Sequence, residues 1–233
     1  MIKTILLRTA MVGAAMTFGA TAAHAQAQPD GNSLRPNAQY FEKEFEARKT
    51  MGESGESANV FERSKMVASC VQRQAGDEAM DLVGGELTDD EDYDALNGAL
   101  SRKYRQCMTE ESSGLPIDYV GLALVETIVL AKREEMVTPK PVTDMAAAQA
   151  FIVGGDDDLP IDKVGRCIAV LAPASIVRVM DTESNSDAEK DALQAAYQSA
   201  PQCGVSERPE IEDMVQRRAM VEGLYAWRMM QDS

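Results

Sequence analysis

Apolar residues recur at three- and four-residue intervals along most of the chain, and no stretch alternates long enough to predict a run of strands. Tyr40, Phe41 and Phe45 mark one side of a helix over Asn37–Met51, followed by a loop at Gly52–Ser57. A helix over Ala58–Ala75 carries Cys70, and a shorter one runs toward Val83, where Gly84-Gly85 stops it. Thr88-Asp89-Asp90-Glu91 is a capping-box pattern, and the helix it opens carries Tyr93, Leu96, Leu100, Tyr104 and Cys107. Pro116 starts a helix reaching about Glu135, after which Pro139 and Pro141 make Val137–Val142 a stiff connector. Beyond it the pattern predicts helices over Asp144–Val153, Leu159–Leu171 and Ile176–Met180, with a break at Pro173. A second capping box, Ser186 with Glu189, opens the stripe Leu193, Ala196, Tyr197 and Ala200, which Pro201 ends. Pro209 starts a last helix ending near Gln231.

The two stretches flanking the connector repeat one another. Cys70 to Cys107 is a step of 37 residues and Cys167 to Cys203 a step of 36, so the copies lie 97 and then 96 residues apart. In that register Val67-x-x-Cys70-Val71 matches Val164-x-x-Cys167-Ile168, Ala95-Leu96 matches Ala192-Leu193, and Gln106-Cys107 matches Gln202-Cys203. A glutamate follows each second cysteine by 19 residues, Glu126 in one copy and Glu222 in the other, and Lys132 then matches Arg228. The expected architecture is all-α: two similar helical halves, a tandem internal repeat, packed together and each braced by its own disulfide. The bridges would be Cys70–Cys107 and Cys167–Cys203, each stabilising by about 3–4 kcal/mol through loop closure.

Disulfides presuppose an oxidising compartment, and the N-terminus agrees with export. Lys3 and Arg8 precede a short apolar run over Met11–Ala20, and Ala23-His24-Ala25 suits a signal peptidase cutting before Gln26. The chain thus divides into a signal peptide (1–25), a polar leader (26–36), a first helical repeat (37–136), the connector (137–142) and a second repeat (143–233). The expected destination is the periplasm or beyond. The chain has 233 residues, 23 Lys and Arg against 38 Asp and Glu, and one histidine, His24, inside the signal. Cleavage therefore leaves 21 cations against 38 acids, a formal charge of −17, and no histidine. Histidine-based triads, dyads, metal sites and acid–base catalysis are excluded from such a mature protein. The acidic balance repels phosphate backbones, so nucleic acid is not an expected partner. No apolar run is long enough to predict a span in the mature chain; Val120–Ala131 is short and Glu126 interrupts it.

The remaining chemistry is thin. Asp90-x-Asp92-x-Asp94 begins like a calcium loop, but Ala95 stands where the turn needs Gly and Ser101 where a bidentate Glu is needed. Asp156–Asp158 fails because Pro160 occupies the third ligand position. Both runs read as favourable charge at helix starts. Met214, Met220, Met229 and Met230 share the last helix but read as core filler rather than a copper site. No metal and no cofactor is expected. Glu126 is the most unusual residue, with Leu122, Ala123, Val129 and Leu130 as its helical neighbours. A desolvated Glu126 or Glu222 could act as a general acid on a glycosidic bond; structurally, each would pair with an Arg of its own copy. The leading functional expectation is a non-enzymatic binding or interaction module of the cell envelope, whose unidentified protein or small-molecule partner sits between the copies. The alternatives are a cell-wall glycosidase-like enzyme and an acid-stress periplasmic chaperone.

Overall fold

A computed structural model describes residues 54–84, 90–112, 114–138, 144–155 and 158–232. The expected signal peptide, leader, first helix over 37–51, the start of the first capping box and most of the connector lie outside these residues. Every regular element described is helical, and two disulfides brace the fold.

The front half contains α1 (Ser54–Ala75), α2 (Asp90–Ser101), α3 (Ile117–Ala131) and the short α4 (Arg133–Val137). The back half contains α5 (Met145–Val153), α6 (Pro160–Leu171), α7 (Pro173–Met180), α8 (Asp187–Ser199) and α9 (Asp213–Asp232). Tight 3-10 turns at Arg105–Cys107 and Pro201–Cys203 follow α2 and α8. They carry Cys107 back to Cys70 on α1, and Cys203 back to Cys167 on α6. Both bridges therefore close within one half, as the repeated spacing predicted.

Local chemistry explains most of the ends. Asp144 caps α5 by accepting the amides of Ala146 at 2.8 Å and Ala147 at 3.0 Å. Ser186 caps α8 by accepting the amide of Glu189 at 3.1 Å. Pro160 and Pro173 stand at the first positions of α6 and α7, where a missing N–H costs nothing. On α6, Ile161, Val164, Gly165, Cys167 and Ile168 form one buried stripe.

Five expected boundaries are corrected. Pro173, expected to be a break before a helix from Ile176, is itself the first residue of α7, a position that tolerates its missing N–H. The helix of Cys70 begins at Ser54, inside the stretch expected to be a loop. Ser57 and Ala58 there are buried, and tertiary packing overrides the Gly/Ser signal. Helix α2 stops at Ser101, before Tyr104 and Cys107. Ser101 Oγ and Arg102 Nε bond back to the carbonyls of Asn97 and Gly98, and the amide of Tyr104 closes the turn on Ala99 O. The helix from Pro116 breaks at Lys132 and resumes as α4. Helix α9 begins at Asp213 rather than Pro209, because Arg208 pairs with Asp213 and Gln216 Nε2 donates to Ile211 O at 2.7 Å, holding the approach in a non-helical path.

Within the halves, the closest helix pairs are α1 with α3 and α6 with α9. Helix α9 also crosses to α1, α3 and α4, and α7 touches α3 and α4, so one hydrophobic core runs through both halves. The α6–α9 crossing is built on glycine. A Cβ on Gly165 would lie 2.2 Å from Ala219 O, and one on Gly223 would lie 3.0 Å from Arg166 N. The backbones themselves touch there. Gly165→Ala is expected to cost about 1–3 kcal/mol by forcing the helices apart; chemical denaturation showing less than about 0.5 kcal/mol would mean that the crossing relaxes freely.

Candidate functional site

Three of the buried charges converge at one point between the halves. Arg217 on α9 is 0% exposed, Glu126 on α3 is 2% exposed and Glu189 on α8 is 0% exposed. Each occupies a place on the apolar stripe of its own helix: Arg217 among Met214, Val221 and Leu224; Glu126 among Leu122 and Val129; Glu189 ahead of Leu193 and Ala196. The helices thus deliver one cation and two anions into the same core.

The guanidinium is fully occupied. Arg217 Nε donates to Glu126 Oε2 at 2.9 Å and Nη2 to Glu126 Oε1 at 2.8 Å, the two-pronged geometry in which Arg grips a carboxylate best. Nη1 donates to Glu189 Oε1 at 2.7 Å, and Nη2 also reaches the carbonyls of Met180 and Thr182 at 3.1 and 3.3 Å. The Phe61 ring lies beneath it, 5.4 Å from centroid to guanidinium carbon. Burial alone would lower the Arg217 pKa, but the hydrogen bonds and charge of Glu126 and Glu189 outweigh it and hold the group above its ordinary value.

The network continues toward the surface. Lys65 Nζ stands 3.5 Å from Glu126 Oε1 and 3.0 Å from Glu62 Oε1. Glu62 in turn accepts the amide of Ser184 at 3.2 Å, and Glu189 Oε2 accepts the amide of Asn185 at 2.5 Å. Asn185 has φ of 60°, a left-handed turn that Asn tolerates and that aims its amide at Glu189. Burial pushes the Glu62 carboxyl up, but Lys65 and the Ser184 amide draw it further down, to below its ordinary value.

This arrangement corrects the expected partner of Glu126. Its principal partner is Arg217 of the other half, not an Arg of its own. The cation serving Glu126 is Arg217 on α9, which faces inward beside the more exposed Arg218. Glu222 does follow expectation: Arg218 Nε donates to Glu222 Oε1 at 2.8 Å. Arg218 also donates to the Tyr93 hydroxyl at 3.1 Å and lies 3.7 Å from Asp118, both in the front half. The two glutamates that share a register therefore occupy different environments, one buried and clamped, the other half-buried. Glu222→Gln is expected to cost about 1 kcal/mol, since the pair is partly shielded but Arg218 keeps Tyr93 and Asp118 as partners; a thermal scan showing a loss above about 3 kcal/mol would make Glu222 as central to the fold as Glu126.

A groove does lie between the halves. Asp118, Tyr119 and Leu122 of α3 face Glu212, Met214, Val215 and Arg218 around the start of α9. It is shallow: the space it encloses is about 20 Å³, room for a water molecule and far short of a pocket that engulfs a small-molecule ligand. Glu126 is not in its lining. Asp92 and Asp94 of the calcium-like run sit in α2, and among the described residues no group of three or more Asp, Glu, Cys or His could hold a metal ion. Met214 and Met220 are core residues, whereas Met230 is 40% exposed. No helix among the described residues is long and apolar enough to cross a membrane.

Compared with known proteins, the chain matches no family model, no curated sequence and no solved structure.

Proposed function

We propose that this chain is an exported, disulfide-braced helical protein of the cell envelope that acts by binding a protein or small molecule rather than by catalysis. The observation that carries this reading is the state of its reactive side chains. Both disulfides are formed, no free cysteine remains among the described residues, and both oxygens of Glu126 are engaged by Arg217. A general acid must present a proton to a substrate oxygen that can reach it. Glu126 faces a fixed cation in the core instead, and Glu222 is hydrogen-bonded to Arg218.

The shared order of elements supports a further part of the proposal, that the halves descend from one duplicated unit. Each runs from a cysteine helix through a capped or acidic-started helix and a bridged 3-10 turn to a helix packed on the first. The groove between α3 and α9 is then the binding surface created when the copies joined.

Export and catalysis are tested separately on the full-length protein. The envelope fraction is expected to hold a chain beginning at Gln26 with no free thiol; an uncleaved, reduced chain in the cytosol would overturn the reading. Purified protein is expected to release no soluble fragments from peptidoglycan. Release that Glu126→Gln abolishes would establish the glycosidase alternative in its place.

A further inference from the structure

We propose that the front-half bridge is a thiol–disulfide exchange site: an external dithiol opens Cys70–Cys107 by attack on Cys70 Sγ, while Cys167–Cys203 serves only as a brace. The inference does not depend on the binding role.

The two bridges have sequence separations of 37 and 36, so loop closure does not tell them apart. Their surroundings do. Cys167 is 4% exposed and Cys203 2%, which shuts both residues of the back bridge inside the core. In the front bridge Cys107 is 5% exposed, but Cys70 is only half-buried, between the exposed Ser69 and the exposed Gln74 one turn on. Cys70 Sγ is therefore the sulfur an incoming thiolate meets, and Cys107 is the leaving group.

A donor is already aimed at that leaving group. Gln74 Nε2 donates to Cys107 Sγ at 3.2 Å and to Cys70 Sγ at 3.3 Å. Gln106 Nε2 donates to Gln74 Oε1 and holds the amide in this orientation. A disulfide sulfur is a weak acceptor and gains little from such a contact, whereas a thiolate is charged and gains much more. The amide thus matters most as the bond breaks. Arg73, three residues after Cys70, and Arg105, two before Cys107, are exposed cations, and positive charge favours thiolate over thiol.

The repeated spacing supplies the contrast. In the register that aligns Cys70 with Cys167, Gln74 falls on Leu171 and Arg73 on Val170. In the register that aligns Cys107 with Cys203, Arg105 falls on Pro201, while Gln106 is retained as Gln202. The donor and both cations thus belong to the front bridge alone.

The reaction is a two-electron exchange. A thiolate of the dithiol bonds to Cys70 Sγ as the bond between Cys70 and Cys107 breaks, and Cys107 leaves as a thiolate against the Gln74 amide. The second sulfur of the dithiol, deprotonated in turn, displaces Cys70 Sγ and closes the reductant's own disulfide. The dithiol is oxidised, the bridge is reduced, and the two protons end on Cys70 and Cys107.

Timed reduction of the full-length protein by dithiothreitol, quenched with acid and followed by alkylation and peptide mapping, reads the initial rate at each bridge. In wild type, Cys70–Cys107 is expected to open faster than Cys167–Cys203 by roughly tenfold or more. Its rate is expected to be hardly moved by about 1 M urea, whereas a bridge reached only through unfolding is speeded many-fold by that denaturant. Equal rates, the back bridge opening first, or front-bridge opening that climbs steeply with urea would each overturn the proposal. Gln74→Leu gives the front half the side chain that the back half carries at 171. It is expected to slow the front bridge by roughly tenfold and to leave the back bridge unchanged. A substitution that merely loosened the fold would speed reduction, so slowing reads the lost donor; an unchanged or faster front-bridge rate would overturn the proposal.

Discussion

Replacing Arg217 alone with Met is expected to cost about 3–5 kcal/mol of stability. The substitution keeps most of the side-chain volume but leaves Glu126 and Glu189 facing each other in the core with no cation between them. Lys65 cannot replace it, because it stands 3.5 Å from Glu126 on the outer side and its charge is already shared with Glu62. The loss comes from desolvated anions rather than from lost packing, so it should depend on which groups remain. Adding Glu126→Gln and Glu189→Gln to Arg217→Met should recover most of it, since an uncharged core of the same shape is often as stable as a buried ion triad. Denaturant titration at pH 7 measures both variants. A single-variant loss under about 1 kcal/mol would mean that water already reaches the cluster. Against a net stability of order 10 kcal/mol, the expected loss is a large fraction.

Removing the back-half bridge by Cys167→Ala/Cys203→Ala is expected to cost about 4 kcal/mol. The bridge closes a loop with a separation of 36 residues, and the cross-link removes that loop's freedom from the unfolded chain. The front-half bridge closes 37, so Cys70→Ala/Cys107→Ala should cost nearly the same. That equality is the sharper expectation, because it ties the effect to loop length rather than to local contacts. Cys70 is only half-buried while Cys167 is 4% exposed, so a packing origin would make the back-half pair much the costlier one. Denaturation of both double variants under non-reducing conditions separates the two accounts.

Much of the helical plan was legible from residue spacing, and the reason is local. The cap at Ser186 and the stripe of Ile161, Val164, Cys167 and Ile168 act within a few residues of themselves, whereas Pro173, read as a break, is the residue on which α7 opens. The cysteine pairing was legible because the two halves repeat their spacing. The start of α9 was not, because the side chain of Gln216 reaches back to Ile211 and a capping contact of that kind leaves no mark on periodicity. Tyr104 and Cys107 kept the spacing of a helix that had already ended. For the candidate site, Glu126 was conspicuous as an acid on an apolar face, but its partner lies 91 residues away. The available signal was that Arg217 and Glu189 also fall on apolar stripes. Three misplaced charges of complementary sign, one on each of three helices, can be satisfied together only if those helices meet.

Helix α9 carries, besides Arg217 and Arg218, two further ties to the front half. The Tyr225 hydroxyl donates to Gly84 O at 3.1 Å, and Arg228 donates to Met136 O at 2.5 Å and to Thr138 O at 2.7 Å. Translation makes this helix after both cysteine pairs. The front half can collapse and oxidise its own cysteine pair while the rest is still being synthesised, and nothing in that half alone completes the join. Assembly therefore has a built-in order, with the twenty-residue helix α9 acting as the fastener. A nascent chain stalled before α9 would hold a finished front half beside a back half that still lacks its main packing partner.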